Sequence, residues 1–393
     1  MSEILFNGGT LILPGRLLDG FLLVRDGRIA DFGPGSGPHR TTRLVHDLNG
    51  HYLAPGFVDL HVHGGCGADL MDGTDEAFRV VCNAHLRHGT TSLLPTSTVA
   101  RHEQIVRFLE MCRRFRTHRD GARVWGAHFY GPYFAAEARG CHPGASVRPP
   151  KEIEFQEYLQ FADAIRIATV APEIPHAEAF VRACILNNIR CNAGHTHATF
   201  DQMAAAIRWG VRHVDHLFCA MSDRAKLRQS QTYPMRGGVL EATLYFDELT
   251  TEVIADGKHL TPELLRLAYK IKGPDRLALV TDCNRALDMP DGEYIFGPID
   301  GGECILKRDG VGIMPDGQSL ASSVMGMDHM VRTFHLLTGV SLVETIRMAT
   351  LTPARIAGLD GEIGSLDTGK RADLVVLDRN LDLIDVYLDG QKA

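Results

Sequence analysis

The sequence of 393 residues lacks the features that mark several specialised classes of protein. Its nine cysteines are odd in number and scattered, with no CxxC pair. That excludes a disulfide framework and a structural zinc knot, and fits reduced thiols in a cytoplasm. Four of them, Cys66, Cys141, Cys219 and Cys283, stand beside motif residues and read as small core hydrophobes. No uninterrupted apolar stretch of about 18 residues occurs, so no membrane span is expected. The start, MSEILFNGG, has an acid at Glu3 and no basic stretch before an apolar run, unlike a signal peptide. A basic excess is absent too. The 41 Lys and Arg against 48 Asp and Glu leave a formal charge of −7, which offers no field to gather nucleic acid or an anionic membrane. Any anion must be bound locally. Low-complexity linkers and repeats of fixed period are also missing.

What is present is globular composition, 45% hydrophobic and 23% charged, in a chain long enough to bury roughly three quarters of its unfolded surface. Forty glycines and eighteen prolines imply many short connections. The first fifty residues and the last forty both read as strands and turns: Glu3 to Phe6, Gly20 to Val24, Asp26 to Ala30 with a DG turn, Lys370 to Leu377, and Asp382 to Gly390. The two ends are expected to pair into one small β-sandwich domain, 1–54 with 356–393. Between them, over 55–355, apolar strand-like runs alternate with helices of 3.6 period. One helix carries Phe78, Val81, Cys82 and Leu86 on one face and stops at Gly89; the next carries Ile105, Phe108, Leu109 and Cys112. Strands are predicted at 57–60, 91–94, 124–129, 165–170, 189–192, 211–214, 252–255 and 277–280. Thr199 with Gln202, Thr261 before Pro262, and Ser341 with Glu344 mark helix starts. Eight β-then-α units predict an α/β fold of the (β/α)8 TIM-barrel type, whose working residues lie at the C-terminal ends of the strands.

Those ends carry metal-ligand chemistry. The first strand runs into His61-Val62-His63, and on a strand of period two both imidazoles face the same side. The fifth runs into Gly194-His195-Thr196-His197, the sixth into His213-Val214-Asp215-His216, and the eighth into Thr281-Asp282. An HxH or a lone Asp after a strand is common for packing or capping reasons. Four such signals at strand ends that a barrel brings together point to one divalent cation, with Zn best suited and Fe, Mn or Co alternatives. His197, two positions from His195, and His213, three before His216, read as supporting residues, and His128 suits a buried hydrogen-bonded core position equally well.

This pattern resembles the amidohydrolase superfamily, and more closely the N-acetylglucosamine-6-phosphate deacetylases. The similar stretches are Ala54-Pro55-Gly56-Phe57-Val58-Asp59, His88-Gly89-Thr90-Thr91, Gly131-Pro132, Ala171-Pro172-Glu173, Gly194-His195, His216-Leu217-Phe218, Ala255-Asp256-Gly257 with His259, Val280-Thr281-Asp282, and Ala372-Asp373-Leu374. The resemblance implies metal ligation by His61, His63, His195, His216 and Asp282, with Asp282 as general base and acid. His216 or His142 would hold the oxyanion, and His142, Cys219, Ala220, Arg228 and His259 would contact substrate. It implies a small N-acyl amino sugar as partner, with or without a phosphate, and a homodimer.

Two departures bear on function. In the family the third strand typically ends in His-Leu-Glu-Gly-Pro, whose Glu ligates metal; here it is His128-Phe129-Tyr130-Gly131-Pro132. A neutral phenol is a poor bridge between metals, so a single metal on His61, His63, His195 and Asp282 is expected, with His216 hydrogen-bonding or loosely ligating. Cys219 stands where the family has Asn, and the Arg-Glu-Pro-Gly run that meets the sugar phosphate is missing; Arg224 and Arg228 lie nearby. The best reading is metal-dependent deacetylation of an N-acetyl amino sugar such as N-acetylglucosamine 6-phosphate. Its rivals are a deaminase or other N-acyl hydrolase of the same fold, and a non-catalytic homologue.

Overall fold

A computed structural model describes residues 3–37, 44–229 and 233–393. Met1 and Ser2, at the edge of the first predicted β segment, lie outside the described residues. All eight predicted central strands form, as β1 (Phe57–Val62), β2 (Thr90–Pro95), β3 (Ala127–Tyr130), β4 (Ile165–Val170), β5 (Arg190–Ala193), β6 (Val211–Val214), β7 (Thr250–Ile254) and β8 (Leu277–Val280). Each pairs in parallel with the next in chain order, except that the third strand is broken. Arg123–Val124 pairs with β2, whereas Ala127–Tyr130 pairs with β4. Between the pieces lies Gly126, at φ +134°, a value that favours glycine. The result is one sheet of three strands and one of six. Single parallel bridges, Thr96 to His128 and Val62 to Cys283, link the two at both edges.

These strands are apolar because both faces are covered: every residue of β1, β2, β3 and β8 is buried. The helix Asp75–Arg87 buries Phe78, Val81, Cys82 and Leu86, and His102–Phe115 buries Ile105, Phe108, Leu109 and Cys112, the faces that the 3.6 period predicts. Thr199 and Ser341 accept from the backbone N–H of Gln202 and Glu344 as caps, and Pro262 opens its helix without a side-chain cap from Thr261.

The chain ends form one continuous eight-stranded sheet. Its order is Gln391–Lys392, Leu383–Leu388, Leu374–Leu377, Tyr52–Pro55, Glu3–Leu13, Arg16–Arg25 and Arg28–Pro34, with Leu44–Asp47 pairing Glu3–Leu13. Ile4, Phe6, Leu22, Leu53, Leu374 and Tyr387 are among the residues of its separate apolar core. Arg123, 7% exposed, ties this sheet to the central strands, with Nε 3.0 Å from Asp373 and Nη2 2.6 Å from Asp389.

An element that the sequence reading did not single out follows β8. Three antiparallel strands, Gly292–Phe296, Glu303–Arg308 and Val311–Ile313, form a small sheet. It places Phe296 against both His63 and His142, with ring centroids 5.1 Å apart in each case. The return segment contributes Ser319, Leu320 and Ser322 to the wall of a pocket that also includes His63 and His142.

Candidate metal centre

The C-terminal ends of β1, β5, β6 and β8 open on a pocket of about 350 Å3. Its wall includes His63, Tyr130, His142, His195, His216 and Asp282. His195, His216, Ala220, Asp282 and Ser322 all have positive φ, between +22° and +62°. Left-handed backbone at a residue with a side chain costs about 1–3 kcal/mol, a strain that concentrates at functional sites. Here it turns each strand end so that its side chain faces the common space.

Three of the predicted ligands converge. The ligand atoms of His61, His63 and Asp282 all lie within 4.8 Å of one another. Asp282 Oδ1 is 3.6 Å from His61 Nε2 and 3.3 Å from His63 Nε2. His61 Nδ1 is 2.8 Å from Glu252 and His63 Nδ1 is 3.3 Å from the Thr96 carbonyl, so each ring donates from Nδ1 and turns its Nε2 toward Asp282. His61 Nε2 is buried without a hydrogen-bond partner. Burial alone would lower the His61 imidazole; Asp282 and Glu252 outweigh it and lift it to about 9. Burial opposes ionisation of Asp282 as well, and His61, His63 and His216 outweigh it, holding the carboxyl below the ordinary range. A field that attracts a proton between two imidazoles and a carboxylate also attracts a divalent cation. The orphaned nitrogen and the His-His-Asp donor set therefore fit a divalent metal.

His195 and His216 form a second group beside the trio. His195 Nδ1 donates to the Ala138 carbonyl at 2.6 Å, and its Nε2 is 3.3 Å from Nε2 of His216. The latter atom accepts from the Tyr130 hydroxyl at 2.6 Å. Burial, then the carboxylates Asp215, Asp282 and Glu252, push the Tyr130 phenol well above its usual range, so it keeps its proton. Its ring lies among the imidazoles, 4.4 Å from His61 and 5.3 Å from His195 between centroids. Three of the four ligands expected from the sequence thus lie within 4.8 Å of one another, and His195 stands beside them with His216 and Tyr130. Elemental analysis of protein purified without chelator is expected to find one divalent metal per chain, rising toward two in Tyr130→Glu; two in the unaltered protein would show that the phenol is no obstacle.

Of the expected substrate contacts, His142, Cys219, Ala220 and His259 line the pocket, and Arg228 is exposed outside its lining. Arg224 is exposed too and turns to Met235 Sδ. The cation that the sequence reading missed is Lys226, two positions from each of them on Arg224–Leu227, which does line the pocket. Val99 N–H donates to His142 Nδ1 at 3.2 Å, which puts the imidazole hydrogen on Nε2. Burial, with His195 and His63 near, holds this ring well below the usual histidine range, so it is a neutral donor. His128 is a core residue, bonded to the Leu60 carbonyl and Thr169. His197 lines the pocket, and His213 is a supporting residue, 3.2 Å from Glu252.

Glu252 is the other residue that sequence reasoning missed. It is fully buried on β7 and joins His61 to His213. Burial works against its charge, and the bonds to His213 and His61 outweigh that, keeping it ionised. A carboxylate behind a ligating imidazole sets its tautomer and raises its basicity. Glu252→Gln is therefore expected to weaken metal binding about 10–100-fold with the fold retained, as read by competition with a chelating dye; unchanged affinity would reduce Glu252 to packing.

Comparison with known proteins bears directly on this arrangement. The amidohydrolase family model matches residues 52–392. An N-acetylgalactosamine-6-phosphate deacetylase of Escherichia coli O157:H7 is 32% identical, with 100% of both chains covered. The human N-acetylglucosamine-6-phosphate deacetylase is 32% identical over 98% of this chain and 94% of its own. Among solved structures, a mutant N-acetyl-D-glucosamine-6-phosphate deacetylase of Mycobacterium smegmatis in complex with N-acetyl-D-glucosamine 6-phosphate superposes with a TM-score of 0.90 at 30% identity, covering 100% of this chain and 99% of that one. The Thermotoga maritima N-acetylglucosamine-6-phosphate deacetylase gives 0.86 at 28%, with 99% of each covered. On this full-length match the chain belongs to the amidohydrolase family.

Proposed function

We infer that this enzyme hydrolyses the acetamide of an N-acetylhexosamine 6-phosphate, with N-acetylglucosamine 6-phosphate the first substrate to test. The observation that carries the reading is the meeting, in one pocket, of a buried His-His-Asp trio and a neutral imidazole donor. The deacetylase names of relatives that match the whole chain support the substrate class. We read the parallel strands as a closed (β/α)8 barrel and the terminal sheet, 1–54 with 356–393, as a small β domain that accompanies it. Zn is the metal that best suits imidazole and carboxylate donors, and a cytoplasmic homodimer is the assembly that the family implies. Among the described residues no helix is long and apolar enough to cross a membrane.

In this reading His61, His63 and Asp282 hold the metal, with His195 beside them. When bound, the metal polarises the amide carbonyl and acidifies water. Asp282 takes a proton from the attacking water and returns one to the leaving amine, which suits a carboxylate kept ionised by imidazoles. His142 donates Nε2–H to the carbonyl oxygen as negative charge grows there; a neutral donor needs no proton exchange to do so. Glu252 keeps His61 turned toward Asp282. The small sheet after β8 narrows the pocket through Phe296.

Lys226 is the substrate's anion partner on this reading, since among the described residues the pocket lining includes no guanidinium. Cys219 adds little, because burial, with Asp282 and Asp256 near, pushes its thiol up to about 12 and leaves it neutral. With one ammonium and no Arg, the enzyme is expected to favour the 6-phosphate only modestly. Comparing kcat/KM for N-acetylglucosamine with and without the phosphate tests this. A charged hydrogen bond contributes about 1.5–3 kcal/mol, so Lys226→Ala should cut the preference roughly tenfold or more. Cys219→Asn should increase it. A strong preference that neither substitution changes would overturn this account of the anion pocket, and no turnover of either sugar would favour another N-acyl substrate, to which Tyr130 and Cys219 already point.

A further inference from the structure

A second large cavity, of about 520 Å3, opens at the opposite ends of the strands. It sits between the starts of β4, β5, β6 and β7, where Arg166, Arg190, Arg212 and Thr250 are the first or second residues. Guanidiniums from three consecutive strands therefore meet one hollow. Among the described residues none of the three has a carboxylate within ion-pair distance, unlike Arg113, Arg123 and Arg148. Arg190 also makes no hydrogen bond there; its Nη2 would lie 2.0 Å from a Cβ built on Gly358, so glycine is what lets the guanidinium lie in place. Arg212 is held by the carbonyls of Ile207 and Val211, both at 2.7 Å. Arg166 reaches the Trp125 carbonyl, and burial, then Arg116 and Arg190, lower its guanidinium from the ordinary range. The acids of the lining are Glu248 and Asp275, and Asp275 is already engaged by Arg347 and Arg355.

Counting Arg355 as well, four guanidiniums face two carboxylates in a concave space, in a chain whose formal charge is −7. A guanidinium presents a planar fork of donors that matches the oxygens of a phosphate or carboxylate, and several converging forks select a small anion of two charges. The volume is that of a small-molecule site. We propose that this cavity binds a small dianion, a phosphate monoester or a dicarboxylate, at a site separate from the catalytic pocket. Its inner wall includes His213, which shares Glu252 with His61, so a single carboxylate stands between the two sites.

Isothermal titration of the metal-loaded full chain with glycerol 3-phosphate, and separately with succinate, tests the proposal. The expected result is one binding event per chain that survives Lys226→Ala and weakens about tenfold or more in Arg190→Ala and in Arg166→Ala. Arg190→Ala should keep deacetylation within about twofold of wild type, since the residue is remote from the catalytic pocket. Tighter binding of glycerol 3-phosphate assigns the site to phosphate monoesters, and tighter binding of succinate to dicarboxylates. Absence of binding by either probe up to about 10 mM, or binding that Lys226→Ala removes and Arg190→Ala leaves unchanged, would overturn the proposal.

Discussion

Asp282→Asn is expected to lower turnover by about 10²–10⁴ while the fold and most of the metal remain. The amide keeps the volume of the side chain and one oxygen for the trio, and it cannot take up or return a proton. The electrostatics make the expectation specific. His61, His63 and His216 overcome the burial of this carboxyl and keep it ionised, so the group carries no proton of its own across the neutral range. It also sits at the end of β8 with φ +47°, a conformation that asparagine tolerates as well as aspartate does. Folding strain is therefore no reason for a loss. Circular dichroism and metal content measured beside kcat separate the outcomes. Turnover near wild type with only a fall in stability would mean that Asp282 merely orders the strand end.

The second large effect concerns stability. Arg123→Met removes the cation between Asp373, 5% exposed, and Asp389, and should cost about 3 kcal/mol, because the buried carboxylate then keeps only Arg371, at 3.3 Å, as a charged partner. Asp389 is 40% exposed on its side chain and also reaches Arg371. Adding Asp373→Leu should recover part of the loss, since an apolar pair does not carry the desolvation cost of an unpartnered charge. The urea midpoint reads both variants, and turnover per folded molecule should stay near wild type. A single variant within about 1 kcal/mol of wild type would show that the pair behaves as a solvated one.

Much of the molecule was legible in the amino-acid order because the relevant signals are local. A β-strand has period two, so His61 and His63 had to share a face, and the alternation of apolar runs with 3.6-period helices placed all eight central strands. Caps such as Thr199 with Gln202 involve residues three apart. What escaped depends on register between distant segments. Glu252 looks like a stray acid in an apolar strand; only pairing across 191 positions sets it behind His61. Tyr130 was seen as a substitution, but its hydroxyl bond to His216 spans 86 positions. Lys226 lines the pocket and Arg228 does not, although both are exposed, because the short helix capped by Asp223 sets where each side chain starts. The strand ends, their donor types and the cation chemistry were determined by the sequence alone. Which donors meet, which cation faces the substrate, and how the chain ends are tied to the centre through Arg123 were decided by tertiary packing, because contact between residues far apart in the chain has no period for a sequence to display.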